Sequence, residues 1–363
     1  MMALIPLSLA RRLRRPLQPL RYLCGNGWLR EADADFFLRL VHPVLRLNRI
    51  QARVEARRWV AEDMLALTLR CNGNALGWRA GQHVQLHLQQ DGVRHARSYS
   101  LTAVQPDGRI ELAIKRQPGG RMSNALLDQV GVGQVLELAP AFGELKWPDD
   151  ERAVLLVAAG SGITPLLGLL RDALARGFSA PVTLLHQVRC QAQRAFVEEL
   201  QALAARHRNL HLRWALSAEN GERINATDLA QAPGAHLLGC GPQGFVEQLR
   251  QWWLAAERDG SLQLESFTPL RALAVRAGDE VRLGFARSHQ QVAGNGVQSL
   301  LQQAEDHGLR PAHGCRQGIC ASCTCTLLAG TVRDLRSGEL FAEPGQPIRL
   351  CVSAPHGDVE IDL

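Results

Sequence analysis

At 363 residues, 46% hydrophobic and 21% charged, the chain is too long for one small domain, and its composition excludes both a disordered and a membrane-spanning protein. Its formal charge of +6 is concentrated in residues 1–48, where eight arginines face only Glu31, Asp33 and Asp35. The remainder is near neutral, which argues against a nucleic-acid partner.

In chain order, the basic segment 1–48 comes first. Arg11, Arg12, Arg14, Arg15 and Arg21 are interleaved with Leu9, Leu13, Leu17, Leu20 and Leu23, and a second apolar patch follows at Phe36, Phe37, Leu40, Val41 and Leu45. Pro6, Pro16 and Pro19 interrupt any long helix. The segment is too short and charged to span a bilayer; it suits peripheral contact with an anionic membrane or packing as an arm on the body. The apolar stretch precedes the arginines, the reverse of a secretory signal, so the expected setting is the cytoplasm, including the inner membrane face.

Residues 49–150 read as six short strands, "RIQARVEARRWV", "MLALTLRC", "HVQLHLQQ", "ARSYSLT", "RIELAIKR" and "QVLELAP", with turns at Asp91-Gly92 and Asp107-Gly108, predicting an antiparallel β-barrel. Residues 151–267 change to apolar strands alternating with helical stretches, the pattern of an α/β doubly wound parallel sheet. Residues 268–279 read as a linker. Residues 280–363 hold "EVRLGFAR", a helix-like "GVQSLLQQAEDHG", a glycine- and cysteine-rich loop and a final "DVEIDL" strand, predicting a small α+β domain.

Five of the nine cysteines lie in that last unit. Cys315, Cys320 and Cys323, with Cys351 distant, have the spacing of a plant-type [2Fe-2S] site. A zinc site made of four cysteines more often pairs two C-x2-C knuckles, and only one is present. Cys325 reads as a small buried residue. The segment resembles plant-type ferredoxin domains, which implies a β-grasp fold; Ala321 stands where many such loops have glycine.

On the predicted barrel strand, Arg97-Ser98-Tyr99-Ser100 places Arg97 and Tyr99 on one face and the serines on the other. Gly119-Gly120-Arg121-Met122-Ser123-Asn124 ends a strand and opens a helix whose free N–H groups suit phosphate. Together these resemble the flavin-binding barrel of the ferredoxin-NADP reductase family. That resemblance implies that Arg97 faces a flavin phosphate, Tyr99 packs on the ring, Ser100 lies at its edge, and Gly120, Met122 and Ser123 cradle phosphate. FAD is the expected flavin, FMN the alternative.

Gly160-Ser161-Gly162-Ile163-Thr164-Pro165 follows a strand and opens a helix, as a dinucleotide loop does, with Pro165 in place of the third glycine. It resembles the pyridine-nucleotide loop of the same family, and Cys240-Gly241-Pro242 resembles the family's second nucleotide motif. The resemblance places Thr164 and Cys240 beside the nicotinamide, with Glu265 and Phe267 closing the flavin face, and gives Tyr99, Ser100 and Cys240 the catalytic positions. Arg189 and Arg194 favour NADPH while Ala218 does not, so the expectation is NAD(P)H. The three modules resemble reductase components that pass single electrons from NAD(P)H through flavin and cluster to a terminal acceptor. A fatty-acyl desaturase is the favoured acceptor, a Rieske-type or aromatic hydroxylase system the alternative. The rival class is a non-enzymatic redox sensor, for which no output module is visible.

Overall fold

The computed structural model describes residues 5–90, 93–232, 234–256, 259–267, 281–336 and 338–363. The expected linker 268–279 and the Asp91-Gly92 turn lie outside the described residues. The chain divides into two compact units, one ending at Ser266 and the other running Phe267–Leu363.

The first unit opens with three helices, α1 (Leu7–Arg12), α2 (Gln18–Gly25) and α3 (Glu31–Val41). Pro6 is the N-cap of α1 and Pro19 sits in the first turn of α2, so these prolines start helices, where the missing N–H has no intrahelical partner. Ala10, Val44 and Leu45 form a small buried cluster. Gly73 and Gly108 admit the arm onto the barrel: a Cβ at Gly73 would lie 2.5 Å from the Arg11 carbonyl, and one at Gly108 would overlap the Arg11 guanidinium.

Strands β1 (Ile50–Ala61), β2 (Met64–Cys71), β3 (His83–Gln90), β4 (Val93–Val104), β5 (Arg109–Lys115) and β6 (Val135–Leu138) close an antiparallel barrel in the order β1-β2-β5-β4-β3-β6. Period-two alternation fills it: Leu65, Leu67 and Leu69 from β2 meet Ile110, Leu112 and Ile114 from β5 in one core. Burying each such side chain contributes about 1.5–3 kcal/mol relative to leaving it in water. Helix α4 (Arg121–Asp128) follows β5.

Strands β7 (Val154–Ala159), β8 (Val182–Val188), β9 (Leu210–Leu216), β10 (His236–Gly241) and β11 (Leu262–Ser266) form a parallel sheet ordered β11-β10-β7-β8-β9. The helices between them are α5 (Ile163–Ala175), α6 (Val197–Arg206), α7 (Ala226–Ala230) and α8 (Gln243–Ala255). Successive strands leave β7 first on one side and then on the other. The switch point therefore falls between β7 and β10, the place where such sheets bind ligands at the strands' carboxyl ends.

Barrel and sheet pack as one body through α5. A Cβ at Gly168 would stand 2.4 Å from the Leu101 carbonyl, so this glycine sets how closely α5 approaches β4. Arg171 donates to Thr102 O at 2.7 Å and Glu111 Oε1 at 2.8 Å, and reaches both Glu199 oxygens at 2.7 Å. Two carboxylates from different layers thereby share one largely buried guanidinium.

The second unit contains β12 (Val281–Phe285), β13 (Gln290–Gly294), α9 (Leu300–Asp306), β14 (Thr324–Asp334), β15 (Leu340–Phe341), β16 (Pro347–Arg349) and β17 (Ser353–Ile361). The sheet runs β13-β12-β17-β14-β15, with β12 and β17 parallel and β16 on β14. Helix α9 is shorter than the expected stretch from Gly296. Asn295 Oδ1 accepts from the N–H groups of Val297 and Gln298, and Ser299 caps Gln302, so the first residues form a turn.

Candidate cofactor sites

On β4, Arg97 is exposed and donates to the Ala96 carbonyl at 2.8 Å. Tyr99 packs against the barrel core, and burial raises its phenol pKa, so the hydroxyl stays protonated. Ser98 and Ser100 have buried hydroxyl oxygens with no hydrogen-bond partner among the described residues, as does Asn124 Oδ1 at the start of α4. Buried hydroxyls left this way are costly unless a bound group satisfies them. Gly119, at φ +68°, turns the chain into α4, and a Cβ at Gly120 would meet Ser123 Oγ at 2.5 Å. The loop is thus a cradle that only glycine leaves open. The Met122 side chain points into the barrel core, 3% exposed, so only its backbone is available to a phosphate.

At the switch point, Gly160 takes φ +54° and Gly162 lies against β10, where a Cβ would stand 2.0 Å from the Cys240 carbonyl oxygen. Thr164 is buried and its hydroxyl donates to Ser161 O at 3.0 Å, so it braces the loop. Pro165 occupies the first turn of α5. Cys240 and Gly241 end β10 and are fully buried, with Pro242 capping α8. Burial, with a smaller contribution from the Glu265 charge, pushes the Cys240 thiol well above its usual range and keeps it protonated.

Two features of this site escaped the sequence reading. His186 on β8 places Nε2 2.9 Å from Gly160 O; because a carbonyl only accepts, Nε2 carries the proton. Burial lowers its pKa to about 4, so a neutral ring supports the loop. His83, the cross-strand partner of Ser100, holds Nε2 3.1 Å from Glu265 Oε1, and Glu265 is the β11 neighbour of Cys240. The histidine on the barrel and the glutamate on the sheet thus bring Ser100 and Cys240 to one junction. No local signal links His83 to so distant a carboxylate.

In the second unit the four cysteines associate two by two. Cys315 pairs with Cys320 and Cys323 with Cys351; within each pair, the shared hydrogen bond lowers Cys320 and Cys323 and raises Cys315 and Cys351. Backbone N–H groups point at the sulfurs: Gln317 and Cys320 donate to Cys315 Sγ at 3.3 Å, and Gly318 to Cys351 Sγ at 3.2 Å. Among the described residues, no three His, Cys, Asp or Glu side chains converge as a single ion requires. Four such thiols would hold a two-iron cluster, whereas zinc sites of four cysteines usually pair two C-x2-C knuckles. Arg316 and Ala321 adopt φ +57° and +56° and Gly318 φ +73°, the left-handed turns that curl the loop around this space. Cys325 is buried in the sheet core. Phe267 belongs to this second unit, and its carbonyl accepts from the Gln317 amide.

Family models match the chain in three places: an oxidoreductase FAD-binding domain over residues 51–147, an oxidoreductase NAD-binding domain over 156–251, and a 2Fe-2S iron-sulfur cluster binding domain over 285–356. An NADPH oxidoreductase of Mycobacterium tuberculosis is 34% identical over 339 residues, covering 91% of this chain and 88% of the relative. The ferredoxin reductase component of the 3-ketosteroid-9-alpha-monooxygenase of Rhodococcus rhodochrous is 29% identical over 303 residues, covering 75% and 86%. Among solved structures, phthalate dioxygenase reductase superposes with a TM-score of 0.60 at 23% identity, covering 87% of this chain and 98% of that one. FAD, NAD(P)H and a [2Fe-2S] cluster are accordingly the cofactors of the three sites. With barrel, nucleotide sheet and thiol pairs each matched to its domain, the chain belongs to the ferredoxin reductase-type oxidoreductases, which move electrons from NAD(P)H through flavin to a [2Fe-2S] cluster.

Proposed function

We propose that this reductase supplies single electrons to a terminal oxygenase or desaturase, with a membrane-bound fatty-acyl desaturase as the favoured acceptor. The flavin, when bound, takes two electrons from the nicotinamide and releases them singly to the cluster. The chain's residues do the positioning. Tyr99 supports the ring, Ser98 and Ser100 offer buried hydroxyls to its polar edge, and Arg97 meets a phosphate. The N–H groups at Gly120, Met122 and Ser123 complete that cradle. Gly160, Gly162, Thr164 and Pro165 shape the nicotinamide dinucleotide loop; Cys240, Gly241 and Pro242 form the opposite wall, where an uncharged thiol fills space without repelling a hydride donor. Cys315, Cys320, Cys323 and Cys351 bind the cluster. The division that follows is residues 49–150 for flavin, 151–267 for nucleotide and 280–363 for the cluster, with NADPH the favoured donor on the name of the mycobacterial relative.

The observation that carries the acceptor assignment is the surface of the N-terminal segment. Tyr22, Trp28 and Phe37 are 65%, 75% and 66% exposed beside the arginines. Aromatic and basic side chains together favour a bilayer interface. Among the described residues no helix is long and apolar enough to cross a membrane, so the contact is peripheral. A reductase held at that surface meets a membrane-bound acceptor in two dimensions. The oxygenase reading rests on the named system of the Rhodococcus relative. Flotation with phosphatidylglycerol liposomes, followed by NADPH-dependent turnover of an acyl desaturase in those liposomes, tests the assignment. Binding and turnover are expected. Failure of both, with efficient reduction of a Rieske oxygenase, would overturn the desaturase in favour of the oxygenase.

A further inference from the structure

We infer that the barrel end covered by the N-terminal arm is a binding site for an amphipathic anion, a phosphate or carboxylate carrying an alkyl chain. The cavity there measures about 660 Å³, within the 300–1,000 Å³ typical of small-molecule sites. Arg11, Arg12, Arg14 and Arg15 line one side of it, and no lining residue is acidic.

The local carboxylates are committed elsewhere. Asp107 pairs with Arg70 at 3.3 Å and Arg109 at 3.1 Å, and Glu55 holds the same two arginines at 2.5 and 2.9 Å. Among the described residues, none of the four lining arginines forms an ion pair; Arg11 donates only to the Asp107 backbone carbonyl, and its Nε is buried without a partner. Four guanidinium groups on one short stretch repel one another, and an anion between them converts that repulsion into charge-assisted hydrogen bonds. The crowding is felt beyond the cavity, since the positive charge of Arg14 adds to burial in lowering the pKa of Arg21.

The barrel lining is mainly apolar, with Asn72 and Gln105 its polar side chains. Trp78 and Val104 lie against the barrel core, Ile110 is 3% exposed, and Leu76 is 55% exposed at the rim. A small hydrophilic ion would use only half of such a site, whereas an alkyl chain covers Leu76 and Trp78. The cavity is separate from the cofactor sites. It borders the Arg109 end of β5, while the flavin phosphate loop follows the Lys115 end, about 20 Å along the strand. The nucleotide loop lies at the start of α5, and the later residues Gly168 and Arg171 are the ones that meet β4.

The test uses the full-length, cofactor-loaded protein and isothermal titration with monomeric octyl phosphate, inorganic phosphate, and phosphatidylcholine vesicles with or without phosphatidylglycerol. Two variants probe the two walls: Arg11→Gln combined with Arg14→Gln removes charge, and Ala75→Trp fills the cavity while keeping every arginine. Saturable octyl phosphate binding that exceeds inorganic phosphate and weakens about tenfold or more in both variants supports a site for free amphiphiles. Binding confined to phosphatidylglycerol vesicles, with the same loss in both variants, supports the site with a bilayer headgroup as its source. Ferricyanide reduction by the flavin is expected to be unchanged in both. Absence of saturable binding to any probe, or equal binding by wild type and both variants, overturns the inference. The octyl phosphate arm contains no bilayer, so its result is independent of the membrane contact proposed above.

Discussion

Replacing Gly162 by alanine isolates the steric demand of the nucleotide loop. Gly162, the N-cap of α5, has φ −59° and ψ −12°, a region that alanine enters without backbone strain. The penalty is therefore contact alone. The new Cβ would lie 2.0 Å from Cys240 O, 2.4 Å from its carbonyl carbon and 2.9 Å from Gly241 N. All three are backbone atoms of β10, which is hydrogen-bonded to β7 on one side and β11 on the other. The strand cannot yield, so the start of α5 must retreat by more than an ångström, at an overpacking cost of about 1–3 kcal/mol. At about 2–4 °C per kcal/mol for a unit of this size, thermal melting should fall by roughly 2–12 °C. A displaced loop should raise the KM for NAD(P)H about tenfold for each 1.4 kcal/mol of binding lost. Gly160→Ala is the control: it introduces strain at φ +54°, but its Cβ meets only the Lys115 ammonium at 3.7 Å, an ordinary van der Waals distance. It should lose stability with a smaller rise in KM. Wild-type melting and KM in Gly162→Ala would falsify the argument.

Cys351→Ser is expected to abolish cytochrome c reduction through the cluster and its low-temperature EPR signal while leaving ferricyanide reduction by the flavin; loss of both activities in a folded, flavin-loaded variant refutes the order of electron flow. Ala321→Gly should relieve the strain of φ +56° and stabilise the loop by up to about 1 kcal/mol after the entropy cost of glycine, slowing cluster loss during chelator challenge; faster loss contradicts this. His186 gives the first unit a pH dependence. Its pKa is 6.5 in the unfolded chain and about 4 when folded, so between these values the unfolded state binds the extra proton and stability falls as pH drops. The loss, of order 3 kcal/mol, should be absent in His186→Gln when unfolding is measured from pH 7 to pH 4; identical pH profiles for the two proteins count against it.

The barrel was legible because each strand carries its own alternation; "MLALTLRC" identifies its buried face without its partners. The nucleotide sheet was legible for a different reason, since strands covered on both faces become continuous apolar runs such as "AVLLVAA". The N-terminal segment was less so. Its three helices are short, and their burial comes from docking onto the barrel at Gly73 and Gly108, glycines with no sequence mark that distinguishes them from turn residues. Asn295 and Ser299 likewise shortened α9 through side-chain bonds that a periodic pattern does not register.

The sites follow the same division. Three of the four cysteines proposed as cluster ligands lie within one loop, so their spacing carries most of the arrangement; what the spacing lacks is which thiols pair. At the switch point the information is spread over separate strands. Gly162 matters because Cys240 lies beneath it, and His83 matters because β11 carries Glu265 to the edge of the barrel. The motif glycines announce the loop, but the groups that fix its floor and wall, His186 and His83, belong to strands whose patterns look like ordinary core. A buried histidine in such a strand becomes informative only when its partner is known: His186 supports the Gly160 carbonyl, and His83 joins the strand of Ser100 to the strand beside Cys240. Barrel and sheet therefore meet through the close steric fit at Gly168 and the polar contacts of Arg171, His83 and Glu265, whereas apolar periodicity determines only that each module folds.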